Sequence, residues 1–182
     1  MTRGTTFGAL TGRVAGWALA AALLAGCSAS MKEEMSTMFP DNAGLIARLR
    51  SPSSAVTGSV RVVDYRDGVS VQIAISNLIP GQYRVTLNEN GNCSSFNLFS
   101  AGPAWAPAGM KPDELLPGFL ANEDGSQNGY VAFIKGVSTD GPNSVRGRSV
   151  VIHWGSRIGE AIPGQPNNRV ACGVLESARG IL

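Results

Sequence analysis

The sequence predicts an all-β domain, a Greek-key β-barrel or immunoglobulin-like sandwich, and three observations carry that expectation. Apolar side chains recur with period two through several short runs after residue 55. Turn signals separate the runs, and no long helical pattern interrupts them. The composition agrees, because 23 glycines and 10 prolines in 182 residues break helices and build turns.

Residues 1–26 read as a bacterial secretion signal. Arg3 and Arg13 precede the apolar run from Val14 to Gly26, which is too short for a comfortable membrane span. The run ends in Leu24-Ala-Gly-Cys27, a lipobox pattern in which small residues admit a signal peptidase and the Cys27 thiol takes a diacylglycerol. Two or three acyl chains such as palmitate, at about 0.8 kcal/mol per buried methylene, anchor firmly. Ser28 follows the cysteine, with no aspartate to favour inner-membrane retention. The expected location is therefore the bacterial envelope, at the outer membrane. Removing Arg3 and Arg13 with the signal leaves 13 basic against 13 acidic residues, so no nucleic-acid footprint is visible.

Export also bears on the cysteines. With Cys27 lipidated, Cys93 and Cys172 remain as a pair in an oxidising compartment, and two thiols allow one intramolecular bridge. Residues 27–54 read as a lipidated tether. Within it Met31, Met35 and Met38 share one helical face, either a short amphipathic segment or a soft-sulfur Cu(I) site. Gly44 to Arg50 reads as a short helix or an edge strand.

From Ala55 to residue 182 the pattern is that of the β-domain. Val56, Gly58, Val60 and Val62 alternate with polar neighbours, and Val69, Val71, Ile73 and Ile75 do so after Tyr65-Arg-Asp-Gly68. Two such runs around an Asp-Gly turn predict an antiparallel hairpin with one buried face. After the Asn77-Leu-Ile-Pro-Gly81 turn, Tyr83, Val85 and Leu87 point one way and Arg84, Thr86 and Asn88 the other. Further strands are expected at Asn128–Ile134, Arg148–Trp154 and Arg169–Leu175.

The order of motifs is more specific than the strand pattern. Leu78-Ile-Pro-Gly81, Gly91-Asn-Cys93, Ser100-Ala-Gly-Pro103, Gly118-Phe-Leu-Ala-Asn122, Gly147-Arg-Ser-Val-Val-Ile-His153 and Asn168-Arg-Val-Ala-Cys-Gly-Val-Leu175 follow one another between Ala55 and Glu176. In this order and spacing they resemble the copper/zinc superoxide dismutase family. The resemblance implies a flattened Greek-key barrel, a Cys93–Cys172 disulfide, and a metal site on the outer face shaped by two long loops. It also implies that Asn88–Pro107 lies at the edge of that site.

The ligands that the resemblance calls for are mostly missing. Thr86 and Asn88 stand at the paired copper histidines, Ala104 at the histidine bridging the two metals, and Phe119 at the zinc aspartate. His153, the single histidine of the chain, stands at the last copper position. A redox ion needs several imidazoles, and zinc about four ligands. Asp113 and Glu114 offer oxygen but no histidine near them in sequence to join. A lone His153 reads as a hydrogen-bonded or half-buried side chain. Arg169 matches the anion-guiding arginine and reads as a brace for backbone carbonyls in the disulfide-tied loops. Trp105 and Trp154, each following a vacated position, read either as packing for the empty site or as a contact surface.

These expectations favour a non-catalytic envelope lipoprotein, without a cofactor, acting as a binding or structural module for an envelope protein not identified by the sequence. The alternative is a copper-handling protein using His153 with Met110 or with the Met31, Met35 and Met38 face. An active dismutase ranks last. No Ser/His/Asp or Cys/His grouping points to another enzyme.

Overall fold

The described residues form nine strands and one short 3-10 turn. The structure, a computed structural model, describes residues 44–53, 55–156 and 167–178. The expected signal, Cys27, the methionine face and most of the loop before Asn168 lie outside the described residues. The strands are β1 (Leu45–Arg50), β2 (Thr57–Tyr65), β3 (Gly68–Ser76), β4 (Gly81–Asn88), β5 (Phe119–Ala121), β6 (Gln127–Lys135), β7 (Ser149–Trp154), β8 (Arg169–Val174) and β9 (Glu176–Ser177). They form one antiparallel sheet in the order β5-β4-β7-β8-β1-β2-β3-β6, with β9 paired to β1. Neighbours that are distant in sequence, such as β3 beside β6 and β4 beside β7, make the Greek-key crossovers. The sheet curls into a nearly closed barrel, as the sequence predicts.

The interior is filled from alternate positions of every long strand. Leu45, Ala47 and Leu49 of β1 join Val60 and Val62 of β2, Val69, Val71, Ile73 and Ile75 of β3, and Tyr130, Ala132 and Ile134 of β6. Each large apolar side chain so buried contributes about 1.5–3 kcal/mol. A second, smaller cluster of Leu98, Ala101, Val151 and Cys172 lies on the other face of β7 and β8, with half-buried Cys93 against it. Asn42–Leu182 is one compact unit. It contains all nine strands, both apolar clusters and the disulfide, so it holds what a domain needs to fold by itself.

The structure corrects the sequence reading in four places. Leu45–Arg50 is neither helix nor edge: it lies inside the sheet between β8 and β2, so the barrel starts ahead of Ala55 and the tether cannot extend to residue 54. Six residues are too few to separate period two from a helical turn by pattern alone. In the β2–β3 hairpin the two turn residues are Arg66 and Asp67, with Arg66 at φ 52°, while Gly68 already pairs with Tyr65. Gly68 has another reason to be glycine, since a Cβ there would stand 2.1 Å from the Ile134 carbonyl oxygen. The short strands β5 and β9 were not expected from the pattern. Finally, the polar face of β4 does not meet water: Thr86 and Asn88 are as buried as Val85 and Leu87.

Candidate functional site

The outer face of β4 and β7 is where the vacated ligand positions meet. The two strands pair in register, Arg84 opposite His153, Thr86 opposite Val151 and Asn88 opposite Ser149. Alternate residues of each strand therefore project from one face, and Arg84, Thr86, Asn88 and His153 share it. The loop after β4 covers that face. Its first part extends the ladder, with Glu89 N–H to Pro103 O, Asn90 N–H to Ala101 O and Trp105 N–H to Leu87 O at 2.7–3.1 Å, and Ala104 bridges to Asn88. The Ser95 and Ser100 side chains hold the turn, each hydroxyl accepting the other's backbone N–H at 2.9–3.1 Å. The Cys93–Cys172 bond, between residues 79 apart, ties the loop to β8.

Under this cover the polar side chains form one buried chain of hydrogen bonds. The Thr86 hydroxyl lies 2.7 Å from Asn88 Oδ1 and 2.9 Å from His153 Nε2. His153 Nδ1 faces Asn168 Oδ1 at 3.1 Å, and the Asn168 amide donates to the Trp154 carbonyl at 3.0 Å. At the other end Asn88 Nδ2 donates to the Gly102 carbonyl at 2.9 Å. Thr86, Asn88, His153 and Asn168 are all at most 1% exposed.

Thr86 has one proton for two acceptors, Asn88 Oδ1 and His153 Nε2. A neutral imidazole has one proton for Thr86 and Asn168 together. An imidazolium would donate to both Thr86 and Asn168. Burial opposes that charge and lowers the His153 pKa to about 4, the Asn168 hydrogen bond working the other way and Arg169 and Arg84 adding to the fall. Desolvation prevails, and the ring is neutral at physiological pH.

Arg169 closes the same loop from β8. Its Nη1 donates to the Leu98 carbonyl at 2.7 Å and its Nη2 to the Gly102 carbonyl at 3.0 Å, and its guanidinium lies over the Phe99 ring. Burial lowers its pKa, and no carboxylate among the described residues pairs with it. The Gly102 oxygen thus accepts from both Asn88 and Arg169. Gly102 itself sits at φ 76°, with Asn90 Nδ2 only 2.8 Å from where a Cβ would stand. Leu98 adopts φ 60°, uncommon for a bulky residue, at the head of the 3-10 turn Phe99–Ala101.

The remaining predicted positions are not gathered here. Phe119, on β5, is buried in the barrel interior, stacked on Tyr83 at 5.4 Å and edge-on to Tyr130 at 5.8 Å. A ring in an aromatic cluster occupies the position where the resemblance called for a zinc carboxylate. Trp105 packs against the main core with the Arg148 guanidinium 3.8 Å above its ring. Trp154 packs against the same core and lines a hollow at one end of the barrel. At the vacated copper positions Thr86 and Asn88 bond to each other. Met110 is exposed, in a surface hollow with Phe133 and Lys135. Asp113 gives its backbone carbonyl to Arg84, and Glu114 pairs with Lys111 in water.

A copper or zinc ion does not fit these donors. A hydroxyl, an amide, a methyl and one imidazole whose two nitrogens both face protein partners are a poor set for either metal. No group of three or more His, Cys, Asp or Glu side chains suited to an ion occurs among the described residues. Sequence reasoning missed Asn168 as the second partner of His153. The available signal was the Asn167-Asn168 pair immediately before Arg169, since a residue that starts a strand beside a buried face can be drawn into it.

Comparison with known proteins places this geometry in a family. The family described as copper/zinc superoxide dismutase matches residues 56–175. The extracellular superoxide dismutase [Cu-Zn] of Brugia pahangi is 28% identical, the match covering 71% of this chain and 74% of that protein. Among solved structures, that of the clock protein EA4 superposes with a TM-score of 0.57 at 24% identity, over 76% of this chain and 97% of that one, a likeness of fold. With the barrel order, the disulfide and the covered outer face, these matches show that the chain belongs to the copper/zinc superoxide dismutase family.

Proposed function

We propose that this chain is a non-catalytic superoxide dismutase-like lipoprotein of the bacterial envelope, its barrel serving as a binding or structural module. The observation that supports this reading is the buried polar chain from Asn168 through His153, Thr86 and Asn88 to Gly102 O, at the place where family enzymes hold copper. Dismutation cycles an ion between two oxidation states under several imidazoles with one position open to superoxide. Here one imidazole is present and it is engaged on both sides. The scaffold that shapes the face, Cys93–Cys172 and Arg169, is kept. A fold kept without its chemistry serves by its surface.

The anchor completes the proposal. An acylated Cys27 would hold the barrel at the outer membrane, within reach of an envelope protein partner, with no cofactor and no nucleic acid required. The test is to purify the protein from its native envelope, measure copper and zinc, assay dismutation and identify co-purifying proteins. Absence of stoichiometric metal and of activity is expected. Stoichiometric copper together with dismutase activity would overturn the reading.

A further inference from the structure

We propose that the end of the barrel beside Trp154 is a binding site for a small amphiphilic carboxylate, an alkyl or aryl acid whose head group meets Arg169. This names a ligand class for the binding-module reading, and rests on that reading only in taking the barrel as a binder. The site adjoins the polar chain around His153 through Arg169 and needs no metal.

The hollow has a volume of about 410 Å3. Small-molecule sites fall in this size range, are lined mostly by apolar and aromatic groups with a few polar ones, and occur at the mouths of β-barrels. Here the walls come from the β1–β2 turn, the β3–β4 connection, the disulfide loop and the adjoining ends of β4, β7 and β8. Val56, Leu78 and Tyr83 are buried there, and Trp154 is half-buried. Tyr83 spends its hydroxyl on the Ile79 carbonyl at 2.7 Å, so the ring presents only carbon to an incoming chain. Two large side chains at the same hollow remain in water, Ile79 at 70% and Phe96 at 78% exposed. One exposed apolar residue is ordinary, but two from different loops at one apolar hollow make a surface that an apolar body would cover.

Charge selects the head group. Arg169 is the one charged residue among the described residues that line the hollow. Two of its nitrogens hold the Leu98 and Gly102 carbonyls, which leaves donors of its five N–H groups free to bond. It is partly removed from water and pairs with no carboxylate among the described residues. An anion with an apolar tail satisfies both features at once; a neutral chain satisfies one, and a hydrophilic anion the other.

The experiment titrates the oxidised Asn42–Leu182 unit with decanoate and, separately, with decanol, by calorimetry and tryptophan fluorescence. Saturable one-to-one binding of decanoate is expected, with decanol weaker by about tenfold. Phe96→Asp, at a side chain that packs against little, should melt like the wild type and weaken decanoate by about tenfold, more than decanol, which loses only the apolar contact. Ile79→Asp repeats the test from a different connection if the first variant unfolds. No saturable binding of decanoate, equal affinity for decanol, or an unchanged decanoate affinity in both folded variants would overturn the proposal. Copper in the same preparation would sink the non-catalytic reading and leave this titration standing, so the two failures are distinguishable.

Discussion

His153 makes the stability of the barrel depend on pH between its ordinary and its buried pKa. Its pKa is lowered from 6.5 to about 4 by burial, and it is the only histidine in the chain. The unfolded chain takes up a proton on His153 as pH falls below 6.5, whereas the folded barrel does so only near pH 4. Stability is therefore fully present above pH 6.5 and is lost progressively as pH falls towards 4. A depression of this size corresponds to about 3 kcal/mol across the window, and to about 2 kcal/mol by pH 5. The charged groups near the ring, Arg84 across the strand pair and Arg169 from β8, both oppose protonation. Asp124 and Asp140 have lowered pKa values through hydrogen bonds to Ser126 and Arg146, but they lie in water and act below the ordinary carboxylate range. The assay is urea unfolding of Asn42–Leu182 at steps from pH 7.5 to 4, for wild type and for His153→Gln. The wild type should lose stability through the window and the variant should stay nearly flat. Parallel slopes in the two proteins would refute the buried neutral imidazole.

Other perturbations test other parts of the structure. Replacing both Cys93 and Cys172 by serine opens a crosslink spanning 79 residues and should lower stability by about 4 kcal/mol, read by denaturation against the oxidised wild type. Phe119→Ala empties the ring position between Tyr83 and Tyr130 and should cost about 3–5 kcal/mol in the same assay; a loss under 1 kcal/mol would contradict the aromatic cluster. Arg169→Lys keeps the charge but cannot span the Leu98 and Gly102 carbonyls, so a loss of about 2 kcal/mol is expected at constant pH. Cys27→Ser should abolish labelling by palmitate and release the protein from membranes; retained labelling would contradict the proposed anchor.

What could be read from the sequence follows from how local each signal is. Strands β2, β3, β4 and β6 announce themselves because alternation over eight or nine residues needs no partner to be recognised. Leu45–Arg50 remained ambiguous because its six residues fit a helix turn as well as a strand, and only pairing with β2 and β8 decides it. The two-residue strand β9 is held by β1 and leaves no pattern of its own. The vacated positions Thr86, Asn88, Ala104 and Phe119 were legible one by one, but not their fates. Thr86 and Asn88 turned to each other under a loop whose closure depends on a disulfide to β8, whereas Phe119 turned into the core. Asn168 became the partner of His153 through the β7–β8 pairing, which sets His153 opposite Arg169 and joins two motifs separate in sequence. The barrel-end hollow has no sequence signature at all, because its walls are brought together from six separate segments.

The most direct test of the central claim is the dismutase rate of the purified barrel after exposure to excess copper and zinc and removal of free metal. With Thr86 and Asn88 at the copper positions and both nitrogens of His153 engaged, the expected result is less than stoichiometric metal and no rate above that of a metal-free control. Retention of one copper per chain with dismutation that disappears in His153→Ala would contradict it.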